Sequence, residues 1–297
     1  MWHKWAQIRS IKHHIYKSLN RPNLRPGLAA LSSTIATIRA GKRCRVSYCD
    51  EGWVQRFPSR ILVEPRLSLW TPAEIERWAC DLWMYQYHPK EGDTIVDVGA
   101  GTGWETLLFS RGVGKSGRVI SIEAHPRTFR CLSKMCELNQ LENVTVIQAA
   151  IVDQVREIEF SDGEHEGNSV IGSESGIRVA GTTLDSTFRS LGLSQVDFLK
   201  MNIEGAERLA LSGMKEMVER TRMVCISCHD FLADAGQGSN ELRTKAEVIH
   251  FLKESGFAVS FRESDLRCTV RDFVYGLNER FLGNKTGNQH LKDKEYQ

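Results

Sequence analysis

The sequence predicts an α/β fold: a doubly wound, mostly parallel sheet with an antiparallel last strand, preceded by a basic helical arm and a small β cap. Three observations carry this. From Asp93 onward, apolar strand-like runs alternate with stretches of helical length, the rhythm of a parallel sheet covered on both faces. One strand runs into a glycine-rich turn, Asp97-Val98-Gly99-Ala100-Gly101-Thr102-Gly103, at the start of a helical stretch. The last two strand-like runs have no helix between them, which suits a closing hairpin.

The arm comes first. The chain has 297 residues with 39 Lys and Arg against 37 Asp and Glu, a net charge of +2. From Met1 to Cys49 there is no acidic residue, while Lys4, Arg9, Lys12, Lys17, Arg21, Arg25, Arg39, Lys42, Arg43 and Arg45 are all basic, which leaves the remainder at −8. Opposite charge in the two parts suggests a basic arm on an ordinary globular domain, not a uniformly basic nucleic-acid binder. Residues 1–45 form this arm. Met1, Trp5, Ile8, Ile11, Ile15 and Leu19 recur at helical spacing, and Arg21-Pro22 and Arg25-Pro26-Gly27 break the arm into two pieces. The uncharged run Pro26–Ile38 is too short and too polar to span a bilayer, and no signal-peptide cleavage pattern follows it.

Residues 46–90 form the cap and a linking helix. Arg45–Tyr48 and Arg60–Val63 read as short strands, and Thr71-Pro72-Ala73-Glu74 supplies an N-cap, a proline in the first turn and a carboxylate near the positive end of the dipole, predicting a helix to about Tyr87. The main domain spans 91–280. Strands are expected at Thr94–Val98, Arg118–Ile122, Val144–Gln148, Val196–Met201, Met223–Cys228, Phe257–Phe261 and Cys268–Gly276, with helices at about 104–113, 126–139, 205–219 and 241–255. The Gly- and Ser-rich stretch 156–185 reads as extra strands and a loop near the site, and residues 281–297 as a polar tail.

The glycine turn points to a nucleotide-type cofactor. Glycines there permit positive φ and let backbone N–H groups approach a ligand at the positive end of a helix. A dinucleotide fingerprint wants a third glycine where this chain has Trp104, so the turn instead looks like the first motif of class I S-adenosylmethionine methyltransferases. Glu123 ends the next strand and is placed to accept hydrogen bonds from two ribose hydroxyls. The cofactor-binding set is thus Asp97, Gly99, Gly101, Gly103 and Glu123, with Asn202 for the methionine moiety or the substrate.

At larger scale, Gly92–Gly103, then Ile122-Glu123-Ala124-His125-Pro126, Leu184-Asp185, and Asp197-Phe198-Leu199-Lys200-Met201-Asn202-Ile203-Glu204-Gly205-Ala206-Glu207 resemble the FkbM-type S-adenosylmethionine-dependent methyltransferases. The resemblance covers roughly residues 85–277, and the Lys200–Glu207 run is its specific part. It implies a Rossmann-like seven-stranded sheet, S-adenosylmethionine as cofactor, and O-methylation of a hydroxyl on a sugar, glycolipid or secondary metabolite. Asn202 departs from it where many members carry Asp, and the first 45 residues lie outside it.

Methyl transfer to an alcohol needs in-line positioning and a group that takes the hydroxyl proton. Glu204, at the carboxyl edge of the fourth strand, is the first candidate for base or substrate orienter, with helix capping as its alternative. His229 with Asp230, after the next strand, is the second, since imidazole titrates near neutrality and a carboxylate can orient it. Lys200 is read as pairing with a nearby carboxylate. No metal is expected, because Asn202, Glu204, His229 and Asp230 lack ligand spacing. Cys225-Ile-Ser-Cys228 falls on a buried strand with its two thiols on opposite faces, and the eight scattered cysteines suit a reduced, cytoplasmic setting. Trp83, Tyr85 and Tyr87 either wall a substrate pocket or, more simply, pack the core.

Amino methylation of DNA would want Asn- or Asp-Pro-Pro-aromatic after the fourth strand, which Asn202-Ile203-Glu204-Gly205 is not. Nucleic acid is therefore a poor fit, with RNA kept open only by the basic arm. The arm offers a second class of role: Trp2, Trp5 and the cations of residues 1–20 could rest peripherally on an anionic membrane.

Overall fold

The computed structural model describes residues 20–161, 176–236 and 239–282. Helix α1 (Arg25–Ala40) leads into a three-stranded antiparallel meander of β1 (Arg45–Tyr48), β2 (Trp53–Arg56) and β3 (Ile61–Glu64). Pro26 stands in the first turn of α1, where its missing N–H costs nothing, and Gly41 closes the helix in the left-handed region at φ 61°. The helical stripe of residues 1–19 and the tail beyond 282 lie outside the described residues.

Helix α2 (Pro72–Asp81) begins as the sequence predicts: Glu74 N–H donates to Thr71 Oγ1 while the Glu74 carboxylate accepts from Thr71 N–H, a full capping box. It stops at Asp81, short of Tyr87. Beyond it the chain turns inward to bury Trp83 and Tyr87, and Tyr275 Oη holds the turn by donating to Leu82 O at 3.0 Å.

Then come β4 (Thr94–Val98), α3 (Trp104–Val113), β5 (Arg118–Glu123), α4 (Pro126–Leu138) and β6 (Val144–Gln148). A small second sheet of β7 (Ala150–Ile151), β8 (Arg156–Ser161) and β9 (Gly176–Thr182) follows in the order β7-β9-β8; the loop expected within 156–185 falls largely on residues 162–175, outside the described set. The chain continues through α5 (Leu184–Ser190), β10 (Val196–Met201), α6 (Glu207–Ser212), α7 (Lys215–Glu219), β11 (Thr221–Ser227), α8 (Asp230–Asp234), α9 (Lys245–Glu254), β12 (Phe257–Ser260), α10 (Cys268–Arg271) and β13 (Phe273–Asn278).

The main sheet has seven strands in the order β12-β13-β11-β10-β4-β5-β6, with β13 alone running antiparallel to its neighbours. The strand order reverses between β4 and β10, so the crevice outside their carboxyl ends is where a doubly wound sheet binds its ligand. Central strands are buried on both faces, which is why Ile95, Val96, Val98, Phe198, Leu199 and Met201 read as near-continuous apolar runs. Phe198 stacks on Tyr87 with ring centroids 4.3 Å apart and meets Phe109 edge-on.

Two further elements differ from the sequence expectation. The helix expected over 205–219 is split into α6 and α7 at Gly213, where a Cβ would lie 2.5 Å from Val152 O; the Asp185 carboxylate restarts it by accepting the N–H groups of Glu216 and Met217. The strand expected over Cys268–Gly276 opens instead as one turn of helix, α10, and the strand begins at Phe273. Runs this short satisfy either period, so local pattern cannot separate them.

Candidate active site

Three strand ends and one turn build the site. After β4 the chain makes the glycine turn: Gly99 and Ala100 N–H both donate to Ile122 O, tying the turn to β5. Gly99 (φ 69°) is obligatory, since a Cβ there would lie 1.9 Å from Asn202 O. Gly103 packs against Met135 and Leu132 of α4. Gly101 (φ 57°) is different, because a Cβ there would meet nothing within 4 Å; protein packing does not require this glycine, and only its left-handed backbone favours it.

Glu123 stands where the ribose-binding acid was expected. Its Oε2 accepts from Gly101 N–H at 2.9 Å and its Oε1 from His125 N–H at 2.8 Å. Burial pushes its pKa up to about 7, against the opposing pull of those two donors and of Lys200.

Asp97 lies beneath the turn and is fully buried. Lys200 is its cross-strand partner in the β4–β10 register, with Nζ 3.0 Å from Asp97 Oδ1, and donates to Gly99 O at 2.7 Å. Thr106 Oγ1 donates to Asp97 Oδ2 at 2.8 Å. Burial alone would depress the Lys200 ammonium, but Asp97, Glu105 and Glu123 carry its pKa above the ordinary lysine value. Trp83 lies against that ammonium, 4.9 Å from ring centroid to Nζ, and packs on Phe273; Trp83 and Tyr87 belong to the core, and Tyr85 to the surface beneath Arg262.

Beyond β10, Glu204 is held at φ 55°, left-handed for a non-glycine residue, and Gly205 follows at φ 93°. This double left-handed turn swings the Glu204 side chain back toward the end of β11, where His229 sits. His229 Nε2 is 3.3 Å from Glu204 Oε2, and His229 Nδ1 is 3.3 Å from Glu207 Oε1. Glu207 is fully buried; its Oε2 accepts from Thr244 Oγ1 at 2.9 Å and its Oε1 from Gly205 N–H at 3.2 Å. Burial opposes the imidazolium, yet Glu207 and Glu204 outweigh it and raise the pKa of His229.

Asp230 is not the partner of that imidazole. Its Oδ1 accepts the N–H groups of Thr244 and Lys245 at 2.9 and 3.0 Å, capping α9, and the carboxylate beside Nδ1 is that of Glu207. Asn202 packs its backbone on the glycine turn and leaves its half-buried amide without a hydrogen bond to any described residue. Among the described residues no group of three or more His, Cys, Asp or Glu is arranged to hold a metal ion.

A family model described as the methyltransferase FkbM domain matches residues 97–259, more than half of the 297-residue chain. The chain belongs to that family. Among solved structures, the FkbM methyltransferase from Methylobacillus flagellatus is 17% identical, with a TM-score of 0.46 over 69% of this chain and 50% of the other. Fibrillarin from Aeropyrum pernix, crystallised with bound S-adenosyl-L-methionine, is 16% identical over 79% of this chain and 82% of its own, with a TM-score of 0.42. A protein-L-isoaspartate O-methyltransferase from Fervidobacterium nodosum is 33% identical over 58 residues, which is 20% of this chain and 29% of that protein. The chain therefore spans half or less of the lengths of its FkbM and isoaspartate relatives.

For S-adenosylmethionine, the cofactor of the FkbM methyltransferases, the cradle fits. The space beside Gly101 is open, the Glu123 carboxylate retains acceptor capacity beyond its two N–H bonds, and the Asn202 amide is uncommitted. The β cap of this FkbM protein also reaches the cradle. Glu64, at the end of β3, accepts from Thr102 Oγ1 at 2.8 Å and from Trp104 Nε1. Asn139, after α4, pairs with the edge of β3 like a strand residue, accepting Ile61 N–H and donating to Ile61 O. Sequence reading missed both Glu64 and the role of Glu207. For Glu207 a signal existed, a second carboxylate three residues after Glu204; for Glu64 there was none.

Proposed function

We propose that the protein transfers a methyl group from S-adenosylmethionine to a hydroxyl oxygen of a small acceptor: a sugar, a glycolipid or a secondary metabolite. The observation that carries this reading is the Glu204–His229–Glu207 chain at the carboxyl edge of β10 and β11, beside the cofactor cradle. When bound, the cofactor supplies a methyl carbon already activated by its sulfonium, so the protein's work is positioning and deprotonation. The Glu204 side chain is 28% exposed against 5% for His229 and none for Glu207, so Glu204 is the member an acceptor meets. Glu204 Oε2 would take the proton of the acceptor hydroxyl held at this edge, leaving the oxygen free to act as nucleophile. His229 Nε2 shares that proton, and Glu207 fixes the ring through Nδ1 so that Nε2 stays aimed at Glu204. Asn202 orients the acceptor or the methionine moiety at the same edge.

The test is incubation with methyl-labelled S-adenosylmethionine and separate small-molecule, glycan, lipid and RNA fractions. Label in an alkali-stable ether of a hydroxylated small molecule or glycan, lost in Glu204→Gln, supports the reading. Label in RNA, or on nitrogen, defeats it.

A further inference from the structure

The outer face of α1 carries no charge. From Pro26 to Ile38 there is no ionisable residue, and the helix turns Ser32, Ser33, Ala36 and Thr37 inward, with Val46 N–H donating to Ser33 Oγ and Cys44 N–H to Thr37 Oγ1. Leu24, Leu31 and Ile38, spaced by seven, stand outward on one face with 42, 59 and 75% of their surface exposed. At 1.5 Å per residue they mark an apolar line about 21 Å long. At its C-terminal end Arg39 pairs with Glu74 of α2 at 2.8 Å. Next to that pair Trp70 and Trp78, both more than 40% exposed, place their rings 6.4 Å apart. Cations bracket the line. Arg21 precedes it and Lys42, Arg43 and Arg45 follow it, all exposed and none paired with a carboxylate of the described residues.

We propose that α1, with Trp70 and Trp78, is a docking surface for an anionic lipid bilayer, lying in the plane of the headgroups with Leu24, Leu31 and Ile38 inserted. Charge decides among the occupants. Residues 1–19 carry four cations and no acid, so folding them back over α1 brings them beside the flanking Arg21, Lys42, Arg43 and Arg45, like charge against like. A second copy in register does the same. Nucleic acid satisfies the cations but leaves three exposed aliphatic side chains and two indoles without a role. A bilayer containing acidic phospholipid satisfies both, with the apolar face in the acyl boundary and Arg and Lys at the headgroups. The surface does not depend on the reading of the active site.

The experiment is co-sedimentation of the full chain with phosphatidylcholine vesicles containing phosphatidylserine, against pure phosphatidylcholine. Binding to the acidic vesicles is expected, with L31E/I38E weakening it by about tenfold or more and leaving the melting temperature near wild type. K42E/R43E should erase the preference for acidic lipid. The proposal is overturned if the chain does not sediment with acidic vesicles, or if L31E/I38E binds them like wild type. A dimer in size-exclusion chromatography that L31E/I38E turns into monomer, without vesicle binding, assigns the face to self-association. Retention on single-stranded RNA without vesicle binding assigns the cations to nucleic acid.

Discussion

Lys200 and Asp97 meet across the β4–β10 ladder 3.0 Å apart, where neither side chain reaches water. The same ammonium holds Gly99 O, so one buried ion pair sets both the strand pairing and the shape of the glycine turn. Taking two charges out of water is costly, and removing one partner strands the other. Lys200→Met should therefore lose about 3–5 kcal/mol in urea unfolding, whereas Lys200→Met combined with Asp97→Asn should recover most of it. Equal losses in the single and double variants would show that the pair is not coupled.

Glu123 has its folded pKa raised to about 7 by burial. Its contribution to stability is fully present below the unfolded carboxylate pKa, near 4.3, and is lost as pH rises through about 7. Glu123→Gln should accordingly melt close to wild type at acidic pH and above it at alkaline pH, while failing to bind S-adenosylmethionine. Because an ionised carboxylate is the better acceptor for ribose hydroxyls, wild-type affinity should strengthen as pH rises through the same window. Calorimetric titration across that range checks both, and a flat profile refutes the ribose assignment.

The raised pKa of His229 stands against its burial because of Glu207 and Glu204. The stabilisation is fully present below the unfolded value, near 6.5, and disappears as pH rises through the folded value. Glu207→Gln should lower the folded pKa, seen in the imidazole NMR titration, and reduce kcat by about tenfold or more with KM little changed. A variant that merely unfolded the site would instead lose the cofactor as well.

Asp230→Ala should cost about 1 kcal/mol of stability, the usual price of a lost helix cap, and leave kcat within about twofold. A large fall in kcat at unchanged stability would return Asp230 to the proton chain.

Glu64→Gln tests whether the β cap braces the cradle. It weakens the carboxylate's bonds to Thr102 and Trp104, and a hydrogen bond to a charged group is worth about 1.5–3 kcal/mol. The expected result is a Kd for S-adenosylmethionine raised by about threefold to tenfold, with kcat at saturation unchanged. An unaltered Kd would make the contact purely structural.

By itself the sequence determined the parallel sheet, the glycine turn, Glu123 at the end of β5 and the family, because each of these is a local pattern: strand periodicity, a turn that excludes side chains, an acid at a fixed distance. It also put Glu204 and His229 at one edge of the sheet, since each follows one of two neighbouring strands, β10 and β11. Tertiary structure alone decided which carboxylate serves which partner. Asp230 is adjacent to His229 in the chain yet caps a helix, while Glu207, twenty-two positions earlier, sets its carboxylate 3.3 Å from the ring. Likewise the reach of Glu64 to Trp104 spans forty residues of chain, and the uncharged run read only as too short to cross a membrane proved to be a helix with its aliphatic face outward. Spacing along a chain records what the backbone can do locally. Hydrogen-bond partners are chosen by side chains that the fold brings together, and that choice is written in no local pattern.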